Sequence, residues 1–176
     1  DLLVADWLYP PKRHMPYITH ADLAESPGAL ELAEVASDEH RAPVRAELLN
    51  AVLRGHDTSA WPAEDVAAAQ SAVQRIDAAV GDATAMIDGY LAKRGYALPL
   101  APVPGLVTAW CRGIARYMLH KNRRTMEATD RIARGYTDAL RLLQQTADGK
   151  FSLGALDAVA NDKLDARFEC APSVFS

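Results

Sequence analysis

The chain has 176 residues, 49% of them apolar and 24% charged, and carries a formal net charge of −4. That length and apolar content suit one domain with a buried core and at most an added arm. The acidic balance argues against a general nucleic-acid binder, which carries a large basic excess, and leaves room only for a local basic face.

Two cysteines, Cys111 and Cys170, cannot build the framework of a small secreted scaffold, and no CxxC occurs. Cys111 lies in an apolar helical stretch and reads as a small core residue of a reduced chain. No run approaches the ~18 apolar residues of a membrane span. The opening segment, Asp1 to Pro11, is apolar but has no basic region ahead of it, so it makes a poor signal peptide. Met15 is followed by a credible domain start, Pro16-Tyr17-Ile18-Thr19. Residues 1–16 are therefore read as an N-terminal extension outside the fold, with Met15 the initiator.

The pattern from there is all-α. Thr19 is placed to cap a short helix from His20 to Glu25, which Ser26-Pro27-Gly28 breaks. A second short helix is predicted from Ala29 to Val35, with Leu30, Ala33 and Val35 repeating loosely. A third runs from Pro43 to Leu53, with Val44, Leu48, Leu49 and Val52 on one stripe and Gly55 just past its end. The clearest element covers 62–94. Apolar residues recur at Val66, Ala69, Val73, Ile76, Val80, Ala83, Ile87 and Tyr90, alternating steps of three and four. Such a helix spans roughly 50 Å at 1.5 Å per residue. Gly81 and Gly89 lie inside it, and each costs about 1 kcal/mol against Ala. Gly89 points to the close approach of a neighbouring backbone.

Three prolines within six residues make Tyr96 to Pro104 an extended, apolar connector pinned against the bundle. Helix five is predicted from Gly105 to His120, with Leu106, Trp110, Gly113, Ile114, Tyr117 and Met118 as its stripe. Helix six runs from Ala128 to Ala147 on Ile132, Tyr136, Ala139, Leu140 and Leu143, with Gly149 following. Phe151-Ser152-Leu153 suits a short extended piece. From 155 to 176 the periodicity fails, and this stretch reads as a flexible C-terminal arm that orders on meeting a partner. The helical domain is thus 17–154.

Charge is segregated. Residues 21–40 hold Asp22, Glu25, Glu31, Glu34, Asp38 and Glu39 with no Lys or Arg; residues 111–134 hold Arg112, Arg116, Lys121, Arg123, Arg124, Arg131 and Arg134 against Glu127 and Asp130. A chain so divided could pack head to side with its own copies, although each charge taken singly also fits a solvated face. Arg123 and Arg124 are well placed to meet phosphate or a carboxylate-rich partner.

Catalytic signatures do not occur in the sequence. The histidines are His14, His20, His40, His56 and His120, and no pair has the spacing of a zinc helix. Gly149-Lys150 lacks the other parts of a phosphate loop, and no GxSxG elbow exists. His120 reads as a partner for a helix C-terminus. Asp77 and Asp88 lie three turns apart, about 16 Å, too far for paired acid–base work on one helix. The expectation is a non-enzyme without cofactor or metal.

Several motifs together carry a resemblance. The run Ala83 to Arg94, with Ile87-Asp88-Gly89-Tyr90-Leu91-Ala92 at its centre, is similar to an A-x-A-x-I-D-G-Y-L-A-x-R helix. Tyr96-Ala97-Leu98-Pro99-Leu100 with Pro102 and Pro104 resembles the connector that follows it. Cys111 to Leu119 matches C-x-D-I-A-R-Y-x-L, with Gly113 where an acid is common. Tyr136, Ala139-Leu140 and Gly149 to Gly154 match its close, and Arg167-Phe168-Glu169 with Val174-Phe175-Ser176 resembles its tail, with Ser173 where Arg is expected. On these grounds the chain, over 17–154 and most strongly over 76–154, resembles the Mu-like phage and prophage proteins linked to head completion. The region 40–62 is less typical of them.

That resemblance implies a structural virion protein of the tailed-phage neck. It would be an adaptor ring of about twelve copies that joins the portal protein to the tail, or to the next neck or tail-terminator protein, and extends the DNA channel. It implies no cofactor, no catalysis and no membrane, with assembly in the bacterial host cytoplasm and a final place in the virion. By analogy with connector adaptors, Phe168, Val174 and Phe175 would anchor a portal-docking arm. Arg112, Arg116, Arg123, Arg124, Arg131 and Arg134 would meet neighbouring subunits or passing DNA, and Glu25, Glu31, Glu34, Asp38 and Glu39 would form the acidic partner face. The alternative is a helical DNA-binding regulator that uses the basic 112–134 region.

Overall fold

The computed structural model describes residues 15–38, 40, 42–121 and 130–154. Among them six α-helices and no β-strand occur: α1 His20–Leu23, α2 Ala29–Ala36, α3 Ala46–Arg54, α4 Ala63–Arg94, α5 Gly105–Lys121 and α6 Arg131–Ala147. The all-α reading therefore holds.

Local chemistry sets most boundaries. Thr19 caps α1 in a capping box: its side chain accepts from the Asp22 N–H, and the Asp22 carboxylate accepts from the Thr19 N–H. The predicted break is real. Ser26 sits at φ −150°, ψ 118°, a kink between α1 and α2. Gly55 and Gly95 end α3 and α4 in the left-handed conformation that glycine adopts without steric cost. Asp130 caps α6 by accepting from the Ile132 N–H at 2.8 Å. Residues 128–129, where α6 was expected to start, lie outside the described residues.

Two expectations need correction. Helix α3 begins at Ala46, three residues after Pro43. The reason is Ser37, whose hydroxyl donates to the Ala33 carbonyl and accepts from the Val44 N–H. It ties residues 42–45 to the end of α2, and the backbone stays extended through Arg45. Leu30 and Leu106 were both placed on core stripes, yet they are 67% and 38% exposed. Their helices bury the adjacent rows instead, Leu32, Ala33 and Ala36 in α2 and Val107, Trp110, Cys111 and Ile114 in α5.

The core is built on α4. Its buried row includes Ala69, Ala72, Ile76, Ala79, Val80, Ala83, Ile87 and Leu91. Helices α5 and α6 pack on α4 and on each other, while α2 and α3 cover it from another side. The buried alanines let those neighbours come close to its backbone. Each large aliphatic side chain removed from water contributes about 1.5–3 kcal/mol, and Leu32, Leu48, Leu49, Ile76, Ile87, Leu91, Ile114 and Leu143 are all almost fully buried. Cys111 is fully buried, with its sulfur 3.8 Å from the Thr84 hydroxyl. Burial pushes its thiol above the ordinary value, as for a core cysteine.

The connector is pinned as predicted. Tyr96 and Leu100 are buried. The Tyr96 hydroxyl accepts from the Leu153 N–H at 3.2 Å, and the Phe151 ring lies 6.3 Å from that of Trp110. Residues 150–154 thus close the bundle by lying against the connector and the start of α5. They form no strand.

Candidate functional site

The structure brings the two charge-segregated segments into contact with each other. Glu31 on α2 accepts from Arg116 on α5 through both carboxylate oxygens, at 2.5 Å from Nε and 2.6 Å from Nη2. His120, one turn further along α5, places Nε2 at 2.8 Å from the same carboxylate. The three side chains are 22%, 35% and 10% exposed. Burial alone would raise the Glu31 carboxyl. The hydrogen bonds from Arg116 and His120 outweigh it and hold the group below its ordinary value. The same contact pushes the Arg116 guanidinium up. Glu31 and Arg116, placed on opposite candidate faces by sequence, are therefore partners within one chain. His120 serves α2 and not the end of its own helix.

The remaining acidic candidates are surface groups. Glu25 lies 3.7 Å from Arg54 and is 72% exposed. Asp38 lies 3.9 Å from Arg75 and accepts from the His40 N–H. Glu34 is exposed. On the basic side, Arg131 and Arg134 are exposed on α6 with no ion pair among the described residues. Arg112 is half-buried. Its charge helps hold the Asp22 carboxyl low, after the larger effect of the Thr19 hydrogen bonds. Its Nε makes no hydrogen bond among the described residues. Glu39, Arg123, Arg124, Phe168, Val174 and Phe175 lie outside the described residues.

Several contacts were not foreseen. The Tyr17 hydroxyl donates to the Asp88 carboxylate in the core and lies 3.5 Å from the Leu100 N–H. Burial first, and the Asp88 contact second, push the Tyr17 phenol far above its usual range. His20 places Nε2 2.6 Å from Asp77. Asp77 and Asp88 of α4 thus clasp the segment 17–20 at two points. Their signal in the sequence was position: Asp88 falls between Ile87 and Leu91, on the edge of the buried row. Arg75 donates to the Ala36 carbonyl at 2.6 Å, satisfying the end of α2. Tyr117 stacks on Tyr136 with centroids 4.1 Å apart, joining α5 to α6.

A cleft of about 560 Å³ opens where the ends of α2 and α5 meet the middle of α4. Its walls combine Val35, Ala79 and Met118 with Asp82, Arg75 and Lys121. Charges of both signs share the lining with apolar side chains, which suits contact with a surface better than the convergent polar set of a small-molecule site. Among the described residues no group of three metal-ligating side chains occurs, and no helix is long and apolar enough to cross a membrane.

Comparison with known proteins adds what the geometry does not. The chain is 40% identical over 103 residues to Mu-like prophage FluMu protein gp36 of Haemophilus influenzae, covering 57% of this chain and 70% of that protein. It is 41% identical over 76 residues to gene product J of Escherichia phage Mu, covering 43% of this chain and half of that protein. A family model described as "Bacteriophage Mu, Gp36" matches residues 17–169. With most of its length inside that match, the chain belongs to the Bacteriophage Mu Gp36 family of Mu-like phage and prophage proteins.

Proposed function

We propose that the chain is a structural, non-catalytic subunit of the tailed-phage neck. It assembles as a ring of copies, joins the portal to the tail or to the head–tail stopper, and extends the DNA channel. The observation that carries this reading is the family match across residues 17–169. The architecture supports it physically. Helix α4, with 32 residues, is roughly 48 Å long and is braced along its buried row by α2, α3, α5 and α6, which makes a stiff stave for a ring. Arg131 and Arg134 are exposed on α6 with no ion pair among the described residues, available to a neighbouring copy or to passing DNA. The arm 155–176 supplies Phe168, Val174 and Phe175 as portal anchors. On this reading the protein works in the virion neck after assembly in the host cytoplasm.

The test is cosedimentation of the full chain with the portal ring from the same genome, followed by negative-stain imaging. Added density beneath the portal is expected, and alanine at Phe168, Val174 and Phe175 together should abolish it while the protein stays folded. A folded protein that leaves an intact portal bare would overturn the reading. It would then turn attention to the alternative, a helical DNA-binding regulator.

A further inference from the structure

Helix α4 buries one side and leaves the other open among the described residues. On the open side Ser71, Gln74, Ala78, Gly81, Ala85 and Gly89 recur in steps of three and four and are all exposed, so they form one continuous row. The row is uncharged and about 27 Å long. Asp77 and Asp82 flank it, one on each edge. Asp82 is exposed with no ion pair among the described residues, and the Asp77 side chain stays 54% exposed beside His20. Arg75, a base on the Asp82 edge, is already engaged: it donates to the Ala36 carbonyl at 2.6 Å and lies 3.9 Å from Asp38. The open face of α4 is therefore bordered by unmatched negative charge.

Helix α6 carries the opposite sign. Arg131, Arg134 and Arg141 are exposed on its outer side, away from buried Ala139 and Leu143. Arg141 pairs with Asp138 at 3.0 Å, while Arg131 and Arg134 make no ion pair among the described residues. Within one chain these charges cannot meet those of α4, because α6 packs on α4 through its buried side and turns its arginines outward. A single partner for both faces must be basic where it meets α4 and acidic where it meets α6. A second copy of this chain is both. The dimensions also agree: α6, with 17 residues, is about 25 Å long, close to the length of the row. Small side chains along the row leave room for arginines to reach the flanking acids. The cleft walled in part by Ala78 and Asp82 adds depth at the same place.

We propose that the outer face of α6 docks on the open face of α4 in a second copy, with Arg131 and Arg134 set against Asp77 and Asp82. The contact joins two different surfaces, so each copy keeps one of them unused and the contact repeats from copy to copy instead of closing as a pair. This deepens the neck reading and rests on its assembly of copies, while requiring no particular portal.

The experiment uses the full chain in a Cys170→Ser background, where Cys111 is fully buried. Chains carrying Ala85→Cys on α4 are mixed at high concentration with chains carrying Thr137→Cys on α6 and treated with a short bismaleimide. Both positions are exposed, so the bundle should stay folded. Links from Ala85→Cys to Thr137→Cys should dominate, identified by peptide mass spectrometry. Arg131→Glu with Arg134→Glu in the second chain should lower their yield by about tenfold or more, because like charges then face each other. Asp77→Arg with Asp82→Arg in the first chain should restore it. The mixture is also cross-linked after cosedimentation with the portal ring, so that a contact too weak in free solution is still read. Links joining like positions would mean a two-fold dimer and would overturn the proposal. So would a link unchanged by charge reversal, or no link in either setting. Chains that link in solution but leave the portal bare would count against the neck reading and not against this contact.

Discussion

Glu31 and Arg116 stand 85 residues apart in sequence and meet in a two-pronged ion pair that locks α2 to α5. Such paired geometry makes Arg–carboxylate contacts stronger than a single charge pair. Partial exposure of both groups tempers the gain through solvent screening. Removing Glu31 (Glu31→Ala) should cost about 1–2 kcal/mol in chemical denaturation, since it also strips His120 of its partner. Arg116→Ala should cost about the same. The double variant should cost clearly less than the two added together, because the residues share one interaction.

The same pair sets a pH dependence. The folded Glu31 carboxyl lies below its ordinary value of 4.5, so on acidification the unfolded chain takes up the proton first. The stabilisation is complete above that value and is lost as pH falls through the folded one. Asp22, also held low, by Thr19, titrates in the same direction. Stability of the parent chain should therefore decline below about pH 4.5, and the Glu31→Gln variant should show a shallower acid slope. An identical slope in the two proteins would mean that Glu31 does not contribute.

Tyr17 behaves oppositely at alkaline pH. Its phenol is raised well above the ordinary 10, so above that pH the unfolded chain loses a proton that the folded chain keeps. Stability falls as pH rises past 10. In an ultraviolet titration Tyr17→Phe should ionise with the same amplitude as the parent up to the point of unfolding, because Tyr17 stays protonated in the fold. The variant removes the hydrogen bond from Tyr17 to buried Asp88 and should cost about 1–3 kcal/mol. His20→Ala, at the exposed contact with Asp77, should cost under about 1 kcal/mol.

The glycines test a different kind of constraint. Gly89 suggested a close backbone neighbour, yet it is exposed, and a Cβ there or at Gly81 would meet nothing within 4 Å. Gly81→Ala and Gly89→Ala should each stabilise the isolated chain by about 0.5–1 kcal/mol. If Gly89→Ala also weakens assembly with the portal, the close neighbour belongs to another molecule. Gly149→Ala should destabilise by about 1 kcal/mol or more. Its φ is +73°, and a Cβ would sit 2.9 Å from the Arg94 guanidinium.

What the sequence disclosed follows the range of the forces involved. The long helix was legible at 62–94 and is found at 63–94, because thirty residues of period 3.6 leave no competing pattern. Gly55, Gly95 and Gly149 take positive φ where helix ends were expected, since that choice is made within one turn. The onset of α3 was misplaced because Ser37, seven residues before Val44, decides it. The Glu31–Arg116 contact could not be read at all. Composition put both residues in charged segments, and only the tertiary fold turns a presumed outward charge into an internal partner.

That internal pairing bears on nucleic-acid contact. With Arg116 engaged by Glu31, the exposed bases of the 112–134 region among the described residues are Lys121, Arg131 and Arg134, a small footprint on a chain of net charge −4. Duplex DNA should not be retained at about 150 mM salt, where few phosphate contacts give little affinity. Arg131→Glu with Arg134→Glu should change stability by less than about 0.5 kcal/mol, since both residues are exposed and have no ion pair among the described residues. Should the parent protein bind DNA at low salt, this variant discriminates between the readings. If the two arginines make the contact, the slope of log affinity against log salt falls by about 2, and the regulator reading gains. If binding is unaffected, the contact lies elsewhere on the chain, and α6 is left free to meet a neighbouring subunit.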